Sequence, residues 1–595
     1  MSPFFKSATD CIALLFVLFL SLTSSAAQNK PSSSPDDQPE LTKPGTIGGT
    51  VVNESGQPLS DATVIIRAFG STTIRRITTT DRHGDFQVNG LPPVVYLVSA
   101  ALPAYTLPPR HPDSTQATSY RVGDRMTLVL IKGGVITGRV STSSGEPVIG
   151  VRVRAQMVRD GNGQRTRYGA TILERTTDDR GVYRIYGLPT GTYLVSAGGG
   201  DSYLGSSAYL NDSPTYSPSS TRDTAAEINV RAGEETSGTD IRYRGEPGHT
   251  ISGIATGPQG PDASFFVTLT STLGSQSSEN TFQPPGTQGF SFSGVADGDY
   301  NVTAQSYFPN GDRWISAPKR IKLSGADITG LELAARPLGS ITGRVVLEDS
   351  NAAECKGKRR ALVTETLVSA WHNENEAAKE QPQFVWSLGG PIYPSDQGDI
   401  SLRNLAPGQY QIITRLFAKY WYLRSITLPA STMAGSNTVQ TSRTNDAVSN
   451  WITLRQDDRL SGLIVTLSEG AGSLQGQVTL SEGETPPARL YVYLVPVENE
   501  KAQDVLRFFA APVSTDRKIT LNHIPPGRYW ILAQPALEDA VPPLRGLRLP
   551  DEKESRARLR REGEAGKTEI EFKPCQNITD YQLPLKSSAS VPTKQ

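Results

Sequence analysis

The sequence predicts an all-β protein built as a tandem array of about five Ig-type sandwiches, and three observations carry this. The stretch TTDRHGDFQVNGLPPVVYLVSA from Thr79 returns as TTDDRGVYRIYGLPTGTYLVSA from Thr176, identical at 12 of 22 positions without a gap. Apolar residues alternate in short runs bounded by Gly, Pro and Asp, the period of half-buried strands. Five such units between Gly45 and about Leu549 average near the ~100 residues of an Ig-type sandwich.

The first element is a leader. Lys6 precedes an apolar run from Cys11 to Leu22, and the small-residue exit TSSAAQ follows. This is the order of a secretory signal peptide, with cleavage expected after Ala27. The run is shorter than the ~20 residues that span a bilayer, and no later segment is apolar enough to do so. The protein is therefore expected to be exported, to the periplasm, the cell surface or the medium. Residues 28–44 are rich in Pro, Ser and Asp and lack apolar periodicity, which predicts a disordered linker.

Each unit then opens on a short strand with an internal glycine: GTIGGTVV at Gly45, GGVITGRV at Gly133, GHTISGIA at Gly248, GSITGRVV at Gly339 and GSLQGQVT at Gly472. The expected units are 45–132, 133–247, 248–337, a divergent fourth at 338–471 and a fifth at 472–595. In the first two, strands with Val64, Ile66, Val151 and Val153 on single faces come next. The repeated element follows. Asp and Gly make a turn; Phe86, Val88, Tyr183 and Ile185 alternate toward one face; a second Gly/Pro turn breaks the strand. A tyrosine leads the next strand in all five copies: Tyr96, Tyr193, Tyr300, Tyr410 and Tyr529. Phe would pack equally well there, so the hydroxyl is expected to bond upstream backbone as a tyrosine corner. Four of the units end on a further strand that leads toward the next opening. After the fifth, Asp551–Gly566 predicts one short C-terminal helix, acids first, a basic block next, with Gly566 as cap. The strands TEIEFKP and TDYQLPL are expected to close that unit.

These motifs resemble carboxypeptidase regulatory-like domains, a family similar in appearance to the B repeats of collagen-binding adhesins. The carrying residues are GEPVIGVRVRA and TTDDRGVYRIYGLPTGTYLVSA in the second unit with their counterparts in the first. The later units match through the opening strand and the turn–Tyr element. The resemblance implies seven-stranded, transthyretin-like Greek-key sandwiches in a multi-repeat exported bacterial protein, and it implies no particular function.

Composition and motifs narrow the chemistry. Charge is balanced, 59 basic against 59 acidic residues, so no basic field invites nucleic acid. A carboxypeptidase zinc site needs two histidines and a carboxylate converging. The five histidines, His83, His111, His249, His372 and His523, are dispersed and none begins His-x-x-Glu. No catalytic residue, metal site or cofactor is expected. Adhesin B repeats can self-link through a lysine, and the opening strands contain none. Asp81, Asp178 and Asp179 sit in Gly turns, where ordinary turn chemistry explains them better than the six or more oxygens of a calcium site. The Arg556–Arg561 run is flanked by Glu552, Glu554, Glu562 and Glu564, which predicts a solvated, salt-bridged helix face.

After the leader, Cys355 and Cys575 are the remaining cysteines. In an exported chain they can pair, contributing on the order of 4–5 kcal/mol for so long a loop, or stay as two thiols. The ligand-binding candidates are Tyr203, Tyr209 and Tyr216 on a long polar loop, where tyrosines could stack on a sugar or peptide. Near Trp421, alternation places the indole on the core face and Tyr420 and Tyr422 outward. The expected function is that of a non-catalytic structural or binding protein, presenting loops to glycans or envelope proteins. An accessory or assembly subunit of a separate envelope enzyme or transporter is the alternative.

Overall fold

The computed structural model describes residues 44–585 except 69–73, 109–118, 164, 166–171, 200–207, 258–263, 273–277, 284–285, 287–288, 308–311, 374–391, 430–444, 481–489, 515–516, 536–547 and 549–551. The leader and nearly all of the linker lie outside the described residues. The chain forms two compact units that part between Pro337 and Leu338.

The first unit holds three sandwiches. In the first of these, the opening strand Gly45–Val52 lies between Asp85–Leu91 and Arg125–Val129. The facing sheet runs Arg75–Thr79, Thr63–Ala68, Val95–Ala101, Ser119–Arg121, which completes seven strands. Alternation dictates what lies between them: Val64, Ile66, Phe86, Tyr96 and Val98 all point into one core. The second sandwich repeats this around Val151, Val153, Tyr183, Ile185 and Tyr193. In the third, Arg313–Ser316 pairs with both Gly298–Tyr307 and Ile328–Pro337 and so joins the two sheets along one edge.

The second unit holds the fourth and fifth sandwiches, each with its own opening strand, Gly339–Glu348 and Gly472–Thr479. In the fourth, Trp421–Leu428 joins the opening sheet through the closing strand Arg459–Glu469. Trp421 is fully buried in that core, and Tyr422 is only half-buried. In the fifth, Glu569–Phe572 pairs with Gly527–Pro535, and Asn577–Pro584 closes the opposite sheet.

The strands that lead from one unit toward the next are the last strands of their own sandwiches. Each pairs parallel with the strand that opened it, as Arg125–Val129 does with Gly48–Val52 and Ile328–Pro337 with His249–Thr256. This explains the glycine inside every opening strand. A Cβ at Gly49, Gly138, Gly253, Gly343 or Gly476 would collide with a carbonyl oxygen of the parallel partner, from Met126, Thr239, Leu331, Leu463 or Tyr581.

The C-terminal helix spans Lys553–Gly566, and its left-handed cap is Lys567 at φ 51°, not Gly566. The basic run is not a uniformly solvated face. Arg556 is buried, and Arg560 donates to the carbonyls of Pro496 and Val497 at 3.0 and 2.9 Å. The helix lies against strands Leu490–Pro496 and Gly527–Pro535, so Leu559 enters a small second core with Tyr491, Val495 and Phe508. A periodic charge pattern shows helix propensity but not which face docks; packing against the sheet decided that.

Candidate functional site

The repeated element is a set of backbone clamps. In all five copies the tyrosine hydroxyl donates to the carbonyl four residues upstream: Tyr96 to Pro92, Tyr193 to Pro189 and Tyr300 to Ala296 at 2.8 Å each, Tyr410 to Ala406 at 2.7 Å, Tyr529 to Pro525 at 2.9 Å. The corner forms because the ring enters the core while its oxygen reaches the Gly/Pro turn that interrupts the sheet. Burial pushes the phenols of Tyr96, Tyr193, Tyr410 and Tyr529 up, Tyr96 to about 12.

Just before that turn, a residue with positive φ makes a bulge against the opening strand. It is Gly90 (69°), Gly187 (79°), Gly294 (69°), Asn404 (62°) and His523 (59°). The left-handed region tolerates Gly at no steric cost and Asn or His better than most.

Two further positions are equally committed. Asp81 accepts from the backbone N–H of Asp85 and His83, and Asp178 from those of Val182 and Arg180. These turn amides hold both carboxyls below the usual carboxylate range. The hydroxyl of Thr80 donates to Leu59 and accepts from the Ala62 amide, and Thr177 repeats the clamp between Val148 and Val151. The sequence signal for these buried threonines was present, the repeated Thr before Asp, but nothing local shows that they reach back some 20 to 30 residues.

The expected tyrosine platform meets a different arrangement. Tyr203 lies outside the described residues. Tyr209 donates to the Ile149 carbonyl at 3.0 Å and meets Tyr243 edge to face, with centroids 5.6 Å apart. Tyr216 pairs with strand Gly191–Ala197 and is buried against Val158 and Leu194. Tyr216 is therefore buried on the second sandwich, and Tyr209 is half-buried against its core. Apolar residues on the outward side of that sheet needed a cover, and the loop supplies it.

An aromatic pair lies instead on the fourth sandwich. Trp371 and Trp451 stand with ring centroids 5.9 Å apart and planes tilted 32°. Both are half-buried and alternate with the core residues His372 and Ile452, so they occupy the outer face of the three-stranded sheet. Trp371 is directly opposite Gln411, and Gln409 on the same face accepts from Asn373 at 3.1 Å.

The described histidines stay apart. His83 is exposed, His111 lies outside the described residues, and His249 faces Asp297 and Asp327 at 3.4 and 3.7 Å. His372 is buried edge-on against Tyr410, and burial pushes it down to about 4. His523 Nδ1 lies 2.9 Å from the Trp421 carbonyl. Among the described residues, no three His, Cys, Asp or Glu side chains converge as a metal site. No helix among them is long and apolar enough to cross a membrane. Cys355 and Cys575 form a disulfide with an S–S distance of 2.04 Å.

Solved structures similar to this chain include pilins and a collagen-binding repeat. The minor pilin GBS52 of Streptococcus agalactiae is 14% identical over 33% of this chain and 94% of its own, at a TM-score of 0.19. The Bacillus anthracis TIE protein is 10% identical over 76% of this chain and 73% of its own, at 0.14. Two B repeat units of the collagen-binding protein of Staphylococcus aureus are 13% identical over 72% of this chain and 100% of theirs, at 0.13. At such scores the likeness carries nothing about function. No curated protein matches the chain. Residues 46–117, the stretch that holds the first sandwich's opening strand, Asp/Gly turn and tyrosine corner, match the carboxypeptidase regulatory-like domain.

Proposed function

We propose that this chain is an exported, non-catalytic scaffold of β-sandwiches that presents binding surfaces to envelope glycans or proteins. One observation carries this. The residues that recur from unit to unit are spent on holding the fold: the Asp turn, the bulge residue, the opening-strand glycine and the tyrosine corner. Selection for a repeated catalytic group would leave a recurring side chain free of such duty. Recognition therefore falls to surfaces that differ between units, as in other folds that carry function on variable segments of a rigid frame.

The Trp371–Trp451 pair suits that role. Indole faces and edges offer the apolar CH side of a pyranose a large contact at small entropic cost. Linked modules then gain avidity from individually weak contacts.

The test is a glycan and envelope-polymer array probed with the chain from Gln28 onward. Trp371→Ala/Trp451→Ala and Tyr203→Ala/Tyr209→Ala/Tyr216→Ala variants run beside it. Loss of binding in the tryptophan variant assigns a carbohydrate site to the fourth sandwich. Loss only in the tyrosine variant moves the site to the second. No binding by the wild-type chain rejects the glycan role and favours the accessory or assembly subunit, pursued by crosslinking to protein partners.

A further inference from the structure

The core of the fourth sandwich contains residues that its own strands do not supply. Val505 and Leu506 are 2% and 7% exposed and pack in one cluster with Ile341, Val368, Tyr410, Trp421 and Val465. They belong to the connection between Leu490–Pro496 and Phe509–Pro512, two paired strands of the fifth sandwich. The connection is built to hold them. Asp504 caps the short turn Val505–Arg507 by accepting from the Leu506 amide at 3.1 Å. Arg507 anchors it to the fifth sandwich, donating to the Tyr529 hydroxyl at 3.1 Å and to the Pro526 carbonyl.

Independent contacts converge on the same junction. The Tyr420 carbonyl accepts from the amides of Gly470 and Ala471 at 2.7 and 2.8 Å. Gly470 in turn accepts from the Cys575 amide at 2.9 Å. His523, at the bulge of the fifth sandwich, meets the carbonyl of the buried Trp421. Gln411 donates to the Arg548 carbonyl at 2.6 Å, and Asn577 to the Tyr420 hydroxyl at 3.1 Å. The disulfide ties the connection after the fourth opening strand, at Cys355, to the turn before the fifth closing strand, at Cys575.

We propose that the fourth and fifth sandwiches are one composite folding body. The 499–508 connection plugs the fourth core, and the Cys355–Cys575 bridge retains it there. Modular repeats normally bury their own cores and couple only through interfaces. A core shared across two sandwiches makes their opening one event instead of two. A partner bound across this pair would then meet fixed spacing, not a flexible joint.

The experiment is hydrogen exchange followed by mass spectrometry on the full chain. It compares wild type with Val505→Ala/Leu506→Ala, each oxidised and after dithiothreitol. In the reduced arm the dithiol breaks the S–S bond, leaves two thiols on the protein and becomes its own cyclic disulfide. The double truncation is expected to quicken exchange in the fourth-sandwich strands Thr366–His372 and Gly408–Leu416 by about thirty-fold or more. The first-sandwich strand Thr63–Ala68 keeps its rate. Quickening of the fourth strands in either redox state supports the composite body. Exchange that quickens only within 499–516, with the fourth strands at wild-type rates both oxidised and reduced, overturns it. A reciprocal variant guards against simple misfolding of the fifth sandwich. Trp421→Phe, in the fourth core, is expected to quicken Lys518–Ile524 of the fifth, and unchanged rates there also count against the proposal.

Discussion

The first two sandwiches and the last two solve the same packing problem differently. In the first pair, each core is made from its own strands. Their junction is a two-stranded ribbon, Tyr105–Thr106 against Ile131–Lys132, with the Gly133 amide bonded to the Ala104 carbonyl at 2.8 Å. In the last pair, two residues of one sandwich lie in the core of the other and a disulfide crosses between them. In the first pair repetition of sequence accompanies independent cores, and in the last pair divergence accompanies a shared one, while the divergent third sandwich keeps a core of its own. A unit that borrows core residues no longer needs the consensus that made it self-sufficient.

That contrast can be tested in decreasing order of effect. Removing the bridge with Cys355→Ser/Cys575→Ser is expected to cost the last pair about 2–5 kcal/mol. The first pair should be untouched, read from exchange rates in each sandwich. Uniform destabilisation of all five would break the comparison. Next comes the opening-strand glycine. Gly343→Ala drives a methyl into the Leu463 carbonyl and Gly138→Ala one into Thr239, each costing about 1–3 kcal/mol. The first should loosen the fifth sandwich together with the fourth, whereas the second should stay confined to its own unit.

Tyrosine corners give a finer scale. Tyr193→Phe loses one neutral hydrogen bond and should cost about 1 kcal/mol by chemical denaturation. Tyr529→Phe also strips Arg507 of an acceptor, so about 2 kcal/mol is expected there. Equal costs would mean that Arg507 contributes nothing at the plug.

Acid should separate the two regions as well. His372 sits buried and neutral in the fourth sandwich, its folded value depressed to about 4, whereas a free histidine titrates near ~6.5. The unfolded chain therefore takes up the proton first. Stability is fully present above about pH 6.5 and declines as pH falls toward 4. The fourth sandwich should lose protection across that window, and His372→Gln should flatten the slope. The smallest effect is a gain. Asn404→Gly relieves a left-handed asparagine at φ 62° and should stabilise the fourth sandwich by a few tenths of a kcal/mol, read as a raised denaturation midpoint.

Much of the fold was legible. Alternation at Val64, Ile66, Val151 and Val153 placed strands, and Tyr at five equivalent positions announced a hydroxyl with a duty that Phe could not perform. The candidate site was less so. Tyr209 and Tyr216 read as loop residues because composition does not say that a loop folds back on a sheet. Trp371 and Trp451 stand 80 residues apart, and no local pattern pairs them. The Arg556–Arg561 run looked solvated because burial of an arginine depends on carbonyls that only a docked neighbour provides.

By itself the sequence determined what local chemistry can write: strand periodicity, turns that require Asp, Gly or a left-handed residue, and the corner tyrosine four residues from its acceptor. Tertiary structure alone decided what depends on residues distant in the chain. It made each linking strand the parallel last strand of its own sandwich, chose the buried face of the helix, joined Cys355 to Cys575 and sent Val505 and Leu506 into a neighbour's core. Local bonds are selected by nearby residues, whereas burial is selected by whichever apolar surfaces can reach one another once the sheets have formed.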